Sequence, residues 1–252
     1  MGATFVILVG RIDLSVGQTA ALSGITAALL IKGGTPIPAA IAAACCVGAA
    51  VGIVNGLLVI QFHVPEFITT LATGSIITGI AQMISKGKTI SIMESKAYIF
   101  LGSGKIADIP IPIFCFLLSF LIAFFILNYM VLGRKCYAVG GNARAAYVLS
   151  GIAAAFGGII LSALNQQASA STASGYELDV IAAIVIGGAS MSGGVGTIPG
   201  TVFGVVLIGL INNGLNLLSV PGTWHPVVKG VIILAAVAFN NYSIRFMKSQ
   251  KV

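Results

Sequence analysis

Long apolar runs separated by short polar islands make up most of the chain. The first run begins near residue 3, breaks at Gly10-Arg11-Ile12-Asp13, and resumes from Leu14 to Ile31. Others cover 39–60, 67–85, 111–132, 148–165 and 198–218, and a last one extends from Val227 to Tyr242. These runs approach the ~20 residues that a helix needs to cross the hydrocarbon layer of a membrane. The pattern predicts an all-α membrane protein: one polytopic transmembrane domain over 1–252, with interrupted helices and about seven to eight spans.

Inside the runs, a few polar and small residues break the apolar background. Gly48, Gly52 and Gly56 recur every four residues, a stripe that lets two helix backbones approach closely. Asp13 reads as the N-cap of a helix starting at Leu14, with the break near mid-depth. An ionisable group there faces protein or a water-filled cavity, so Asp13 and Ser15 are candidates for a translocation pathway, against the alternative of a purely structural cap. Asn55, Thr69 and Thr70 are further candidates, although membrane threonines, including Thr73 and Thr78, often bond backbone carbonyls instead. Asn212 and Asn216 share a helical face, with Asn213 beside them. Amides are costly in lipid, so these face protein or a pore. The rings of Phe114, Phe116, Phe120, Phe124 and Phe125 are spread around their helix and predict a lipid-facing surface.

The polar islands differ in kind. Lys86 to Pro110 is the longest, and predicts an extracytoplasmic cap with a short surface helix. Residues 133–146 form a compact basic island with Arg134, Lys135 and Arg144 and no acid. Gly140 and Gly141 predict a turn there, feeding a short surface helix at Ala143-Arg144-Ala145-Ala146. Glu177 and Asp179 are spaced like an acid/base pair, but Asp179 as N-cap of the next helix is the simpler reading. The glycines of 187–196 lack the Gly-Lys-Ser/Thr of a nucleotide loop. They predict a broken or hairpin element echoing residues 10–17, a pairing that suits a transporter with inverted repeats.

Composition narrows the class. The chain is 58% hydrophobic and 8% charged, where soluble domains average about 25% charged. Its mean hydropathy is +1.07, so lipid is the solvent for much of it. The net charge of +7 is scattered through loops and tail with no basic stripe, which excludes nucleic acid as partner. His63 has only Glu66 nearby, and the four cysteines have no ligand spacing, so no metal is expected. Cys45, Cys46 and Cys115 read as small lipid-buried hydrophobes. No convergent cluster of His, Asp, Glu and Ser supports an intramembrane enzyme, and no cofactor is implied. The start shows neither a basic n-region nor a cleavage site of a signal peptide.

Gly133-Arg134-Lys135-Cys136-Tyr137-Ala138-Val139-Gly140-Gly141-Asn142-Ala143-Arg144-Ala145-Ala146 resembles the coupling loop of the ribose/xylose/galactose-type permeases, the membrane subunits of ABC sugar importers. Ile12-Asp13-Leu14-Ser15-Val16-Gly17, Tyr176 to Asp179 with Gly187-Gly188, Ser192 to Thr197, and the asparagines of 212–216 match that family in the same order. The resemblance implies that Gly133, Arg134, Tyr137, Gly140, Gly141, Asn142, Arg144, Ala145 and Ala146 contact an ATP-binding cassette subunit in the cytoplasm. It further implies a homodimer in the inner or plasma membrane, fed by an extracytoplasmic sugar-binding protein. Positive charge alone does not orient the chain, and the resemblance does. It also implies an N-terminal truncation and a coupling loop shortened after Tyr147. The rivals are a branched-chain amino-acid permease, to which the Asn-rich lining is less suited, and a passive channel.

Overall fold

The structure, a computed structural model, describes residues 1–138, 141–232 and 234–235. The helices are α1 (Gly2–Leu8), α2 (Val16–Lys32), α3 (Ile37–Ile60), α4 (Glu66–Ser85), α5 (Lys96–Ser103), α6 (Ile111–Tyr129), α7 (Val131–Tyr137), α8 (Ala143–Asn165), α9 (Tyr176–Ile186) and α10 (Ile198–Leu217). Five of them, α3, α4, α6, α8 and α10, are long and apolar enough to cross a membrane, and the 17-residue α2 is an apolar helix just below that length. Residues 225–232 are also helical. The rest of the expected last span, and the tail with Arg245, Lys248 and Lys251, lie outside the described residues.

α8 is the hub, packed by α1, α2, α3 and α5. Its sequence explains this: Ser150, Gly151, Ala154, Ala155, Gly158 and Ser162 keep one face nearly flat, so neighbouring backbones close on it. The stripe on α3 meets that face. A Cβ on Gly48 would fall within 2.6 Å of the Ala155 methyl, and one on Gly52 within 2.7 Å of the Val148 Cα. Gly48 and Gly151 face each other so closely that neither has room for any side chain. By contrast α6 is mostly exposed, with Phe114, Phe116 and Phe125 turned outward. Phe120 and Phe124 pack inward in part, 5.7 Å apart.

The 86–110 segment folds at the end of the bundle where α2 and α8 finish. β1 (Ile90–Ser91) pairs antiparallel with β4 (Gln167–Ala168), just beyond α8. β2 (Lys105–Ile106) and β3 (Ile109–Pro110) form a small hairpin. The short helix expected here is α5, fixed by the buried Tyr98, whose Oη lies 2.7 Å from Ser162 Oγ and donates to the Ile159 carbonyl at 3.1 Å.

The two interruptions are hairpins. Gly2 packs against Ser150 and Ala153, and Asp13 meets Ser150 again after the chain has turned, so α1 and α2 run in opposite directions. α10 likewise runs back along α9, with Gly200 against Gly187 and Gly204 against Ala183. In both hairpins the first helix points toward the α7 end of the bundle. Both therefore turn at the same end of the bundle, whereas two hairpins related by inversion would turn at opposite ends. The first turn is also not at mid-depth. Asn55, which bonds it, lies ~8 Å from the end of α3 at Ile60 and ~27 Å from its start at Ile37, at about 1.5 Å per residue.

Candidate functional site

The α1–α2 turn is held by a chain of buried polar side chains. Asp13 Oδ1 accepts from the Ser15 amide at 3.0 Å and the Ser15 hydroxyl at 2.7 Å, and Oδ2 accepts from the Ser150 hydroxyl at 2.8 Å. Ser15 Oγ accepts from Asn55 Nδ2 at 2.8 Å, and Asn55 Oδ1 accepts from the Thr73 hydroxyl at 2.7 Å. Residues from the turn, α3, α4 and α8 are thus linked in one network, all of them buried. Every hydrogen-bonding atom of Asp13 is matched by a donor, as burial in a low-dielectric interior requires. Two further contacts brace the turn: Arg11 pairs with Glu66 at 2.9 Å, and Tyr147 Oη donates to the Ile12 carbonyl at 3.1 Å.

Asp13 is not the helix N-cap that the sequence predicted. α2 starts at Val16 with Ser15 in the capping position. Asp13, two residues earlier, instead closes a local turn over Ser15. The same correction applies to Asp179: α9 begins at Tyr176 after Gly175, so Glu177 and Asp179 both fall in its first turn. Asp179 pairs with Lys229 at 2.7 Å, a cation that removes it from any acid/base pairing with Glu177.

The α9–α10 hairpin touches the first hairpin through backbone at the turn and through side chains between α1 and α10. The Gly194 amide donates to the Leu8 carbonyl at 2.8 Å, and Thr4 and Thr201 hydroxyls meet at 3.1 Å. Gly193 has φ +81, and a Cβ there would stand 2.6 Å from the Gly10 nitrogen. Only glycine combines that backbone with that proximity.

The basic island takes an unexpected form. Its short helix is α7, before the turn, whereas Ala143, Arg144, Ala145 and Ala146 form the first turn of α8. α8 therefore has 23 residues, and the span expected to start only at Val148 has ample length. Each piece is two-faced. Gly133, Cys136, Ala143 and Ala146 are buried, while Arg134, Lys135, Asn142 and Arg144 are exposed and Ala145 is half-buried. Burial pushes the Cys136 thiol up to about 11, so it packs as a neutral group. Gly133 lies against the Ile126 and Leu127 carbonyls, letting α7 fold back on α6. Asn142, at φ +54, is left-handed among the described residues of the turn. Gly141 is required for space instead, since a Cβ would lie 2.9 Å from the Ala138 carbonyl. Gly140 lies outside the described residues. Tyr137 Oη donates to the Gly196 carbonyl at 2.9 Å, and Arg144 donates to Gln61 Oε1 at 3.1 Å. The corner is thereby tied to the second turn through Tyr137 and to the first through Tyr147.

Residues 1–237 match the family described as branched-chain amino acid transport system, permease component. The chain belongs to that permease family. Among curated relatives, the ribose import permease protein RbsC of Escherichia coli K12 is 38% identical over 258 residues, covering 96% of this chain and 80% of the relative. The RbsC of Bacillus subtilis is 41% identical over 251 residues, covering 94% and 78%. The L-arabinose transport system permease protein AraH of E. coli K12 is 36% identical over 255 residues, covering 96% and 77%. No solved structure matches.

Of the residues that the sequence singled out in this permease, Asp13, Ser15 and Asn55 come together. Thr70 lies on α4 beside Thr73 and donates to the Glu66 carbonyl at 2.8 Å, while the buried Thr69 hydroxyl has no hydrogen-bond partner. Asn212, Asn213 and Asn216 stand apart, on α10, which packs chiefly on α9 and α6. Asn213 and Asn216 are exposed, and the Asn212 Oδ1 is buried without a partner. Sequence reasoning missed Ser150 and Tyr147. The signal for Ser150 was a single polar residue in an apolar run, but nothing local gives a partner 137 residues away.

Proposed function

We propose that this multi-pass membrane protein is the permease subunit of an ATP-driven importer that carries a monosaccharide, a pentose or hexose, into the cytoplasm by alternating access. The observation that carries this reading is identity of 36–41% to ribose and arabinose permeases along nearly the whole chain. The family description names branched-chain amino acids, but these curated relatives are named for ribose and arabinose. The chain carries no phosphate-binding loop, so the energy comes from a separate ATP-binding subunit. That subunit would seat on the exposed cations of α7 and the start of α8, which puts this end in the cytoplasm. The 86–110 end would receive the sugar-binding protein, and a second copy of the permease would complete the path.

In the proposed cycle the ATPase moves α7, and Tyr137 carries that motion to the α9–α10 turn. The Asp13 network holds the α1–α2 turn still. The test is uptake into ATP-loaded vesicles containing the whole assembly. Radiolabelled ribose should accumulate above its outside concentration only when ATP is present. Accumulation of leucine in its place would favour the amino-acid reading, and equilibration without ATP would make the protein a channel.

A further inference from the structure

We propose that a cleft at the α5 end is the entry vestibule for the substrate, with Gln18, Gln82 and Ser171 binding the hydroxyls of a neutral polyol. The proposal rests on the sugar-importer reading and adds the place and chemistry of entry. The cleft has two connected compartments that share Gln82, Ala170 and Ser171. The outer one, about 590 Å³, is bordered by Ser85, Lys88 and Thr89. The inner one, about 140 Å³, is bordered by Gln18, Thr78 and Ser174 and reaches Gly17, two residues from Ser15 and its hydrogen-bonded turn. The path thus leads from the surface to the first turn of α2.

At its deep end the Gln18 Oε1 is buried without a hydrogen-bond partner. An unmatched acceptor is costly, so a rotation of the Gln18 amide into the compartment, where a solute hydroxyl can donate to it, is favoured. Each amide offers both a donor pair and an acceptor, and each hydroxyl offers one of either, the set that adjacent sugar hydroxyls need. None of the side chains lining the inner compartment is charged, so the carboxylate of an amino acid would find no cation in it. Two other cavities lack a comparable set of amides: one of about 480 Å³ is bordered by the charged Lys32 and Glu94, and one of about 410 Å³ is lined mainly by small and apolar residues of α1, α2, α6, α8, α9 and α10.

The experiment uses the reconstituted permease with its ATPase and binding protein. Gln18→Met and Gln82→Met preserve length while removing hydrogen bonding, and each should raise the KM for ribose about tenfold while leaving ATP hydrolysis without sugar near wild type. Independently, Ser174→Cys should react with a bulky membrane-impermeant thiosulfonate added from the binding-protein side, and that modification should cut uptake about tenfold relative to treated wild type. If a Gln variant does not assemble, the Ser174→Cys result decides. Wild-type KM in both Gln variants, or full uptake after Ser174→Cys modification, overturns the vestibule while leaving the importer intact. Failure of the wild-type assembly to accumulate any neutral sugar overturns the importer reading, and the vestibule falls with it.

Discussion

The turn between α1 and α2 is held by side chains, and the turn between α9 and α10 mostly by backbone. Asp13, Ser15, Ser150, Asn55 and Thr73 engage three helices at once around the first. The second rests on glycines at positive φ, on the Ser190 amide to Val195 carbonyl bond at 2.8 Å, and on the Gly194 contact with Leu8. Its long-range side-chain tethers are Tyr137, bonded at the turn itself, and Thr201, which meets Thr4 from the first turn of α10. A buried network shared by several helices must break in several places before its turn can shift, whereas a glycine turn whose bonds are mostly within itself can pivot as a unit. In the proposed cycle this contrast would put the first turn in the frame and the second in the moving part.

The largest effect should come from cutting the frame. Asp13→Leu strands the Ser15 amide and hydroxyl and the Ser150 hydroxyl, and should cost about 3–5 kcal/mol. The check is folded yield and thermal unfolding in detergent, and a stable, fully assembled variant would break the comparison. Next, Gly193→Val forces a branched side chain into a left-handed backbone against Gly10, for about 2–3 kcal/mol. Its damage should be local: α8 should keep its hydrogen-exchange protection while ATP-driven uptake is lost. Loss of protection throughout would make the second turn part of the frame as well. The smallest of the three is Asp13→Asn, which preserves the acceptor for Ser15 and lets the Ser150 hydroxyl reorient, at about 1 kcal/mol. Uptake abolished with yield and assembly intact would give Asp13 a direct role in transport.

Much of this frame could be read from sequence, but its partners could not. The spacing of Gly48, Gly52 and Gly56 marks a packing face because small residues on one stripe have few other uses in a membrane helix. That the stripe meets Gly151 depends on a fold-level pairing that no local pattern encodes. The island at 133–146 divides differently from the sequence expectation because its charges do not mark a loop. Arg134, Lys135 and Arg144 occupy the exposed side of short helical turns whose other side buries Cys136, Ala143 and Ala146, and seven residues are too few for a periodic signal. The vestibule was hidden for a different reason, since Gln18, Gln82 and Ser171 are far apart in the chain and ordinary at each position.

The most direct test of the account is the number of sugars moved per ATP hydrolysed in vesicles carrying wild-type or Tyr137→Phe permease. This variant loses one hydroxyl and about 1 kcal/mol or less of stability, so the fold should survive. If α7 drives the α9–α10 turn through the Tyr137–Gly196 bond, Tyr137→Phe should hydrolyse ATP at near the wild-type rate while moving severalfold less sugar. An unchanged ratio of sugar to ATP, with the variant folded and bound to its ATPase, would contradict it.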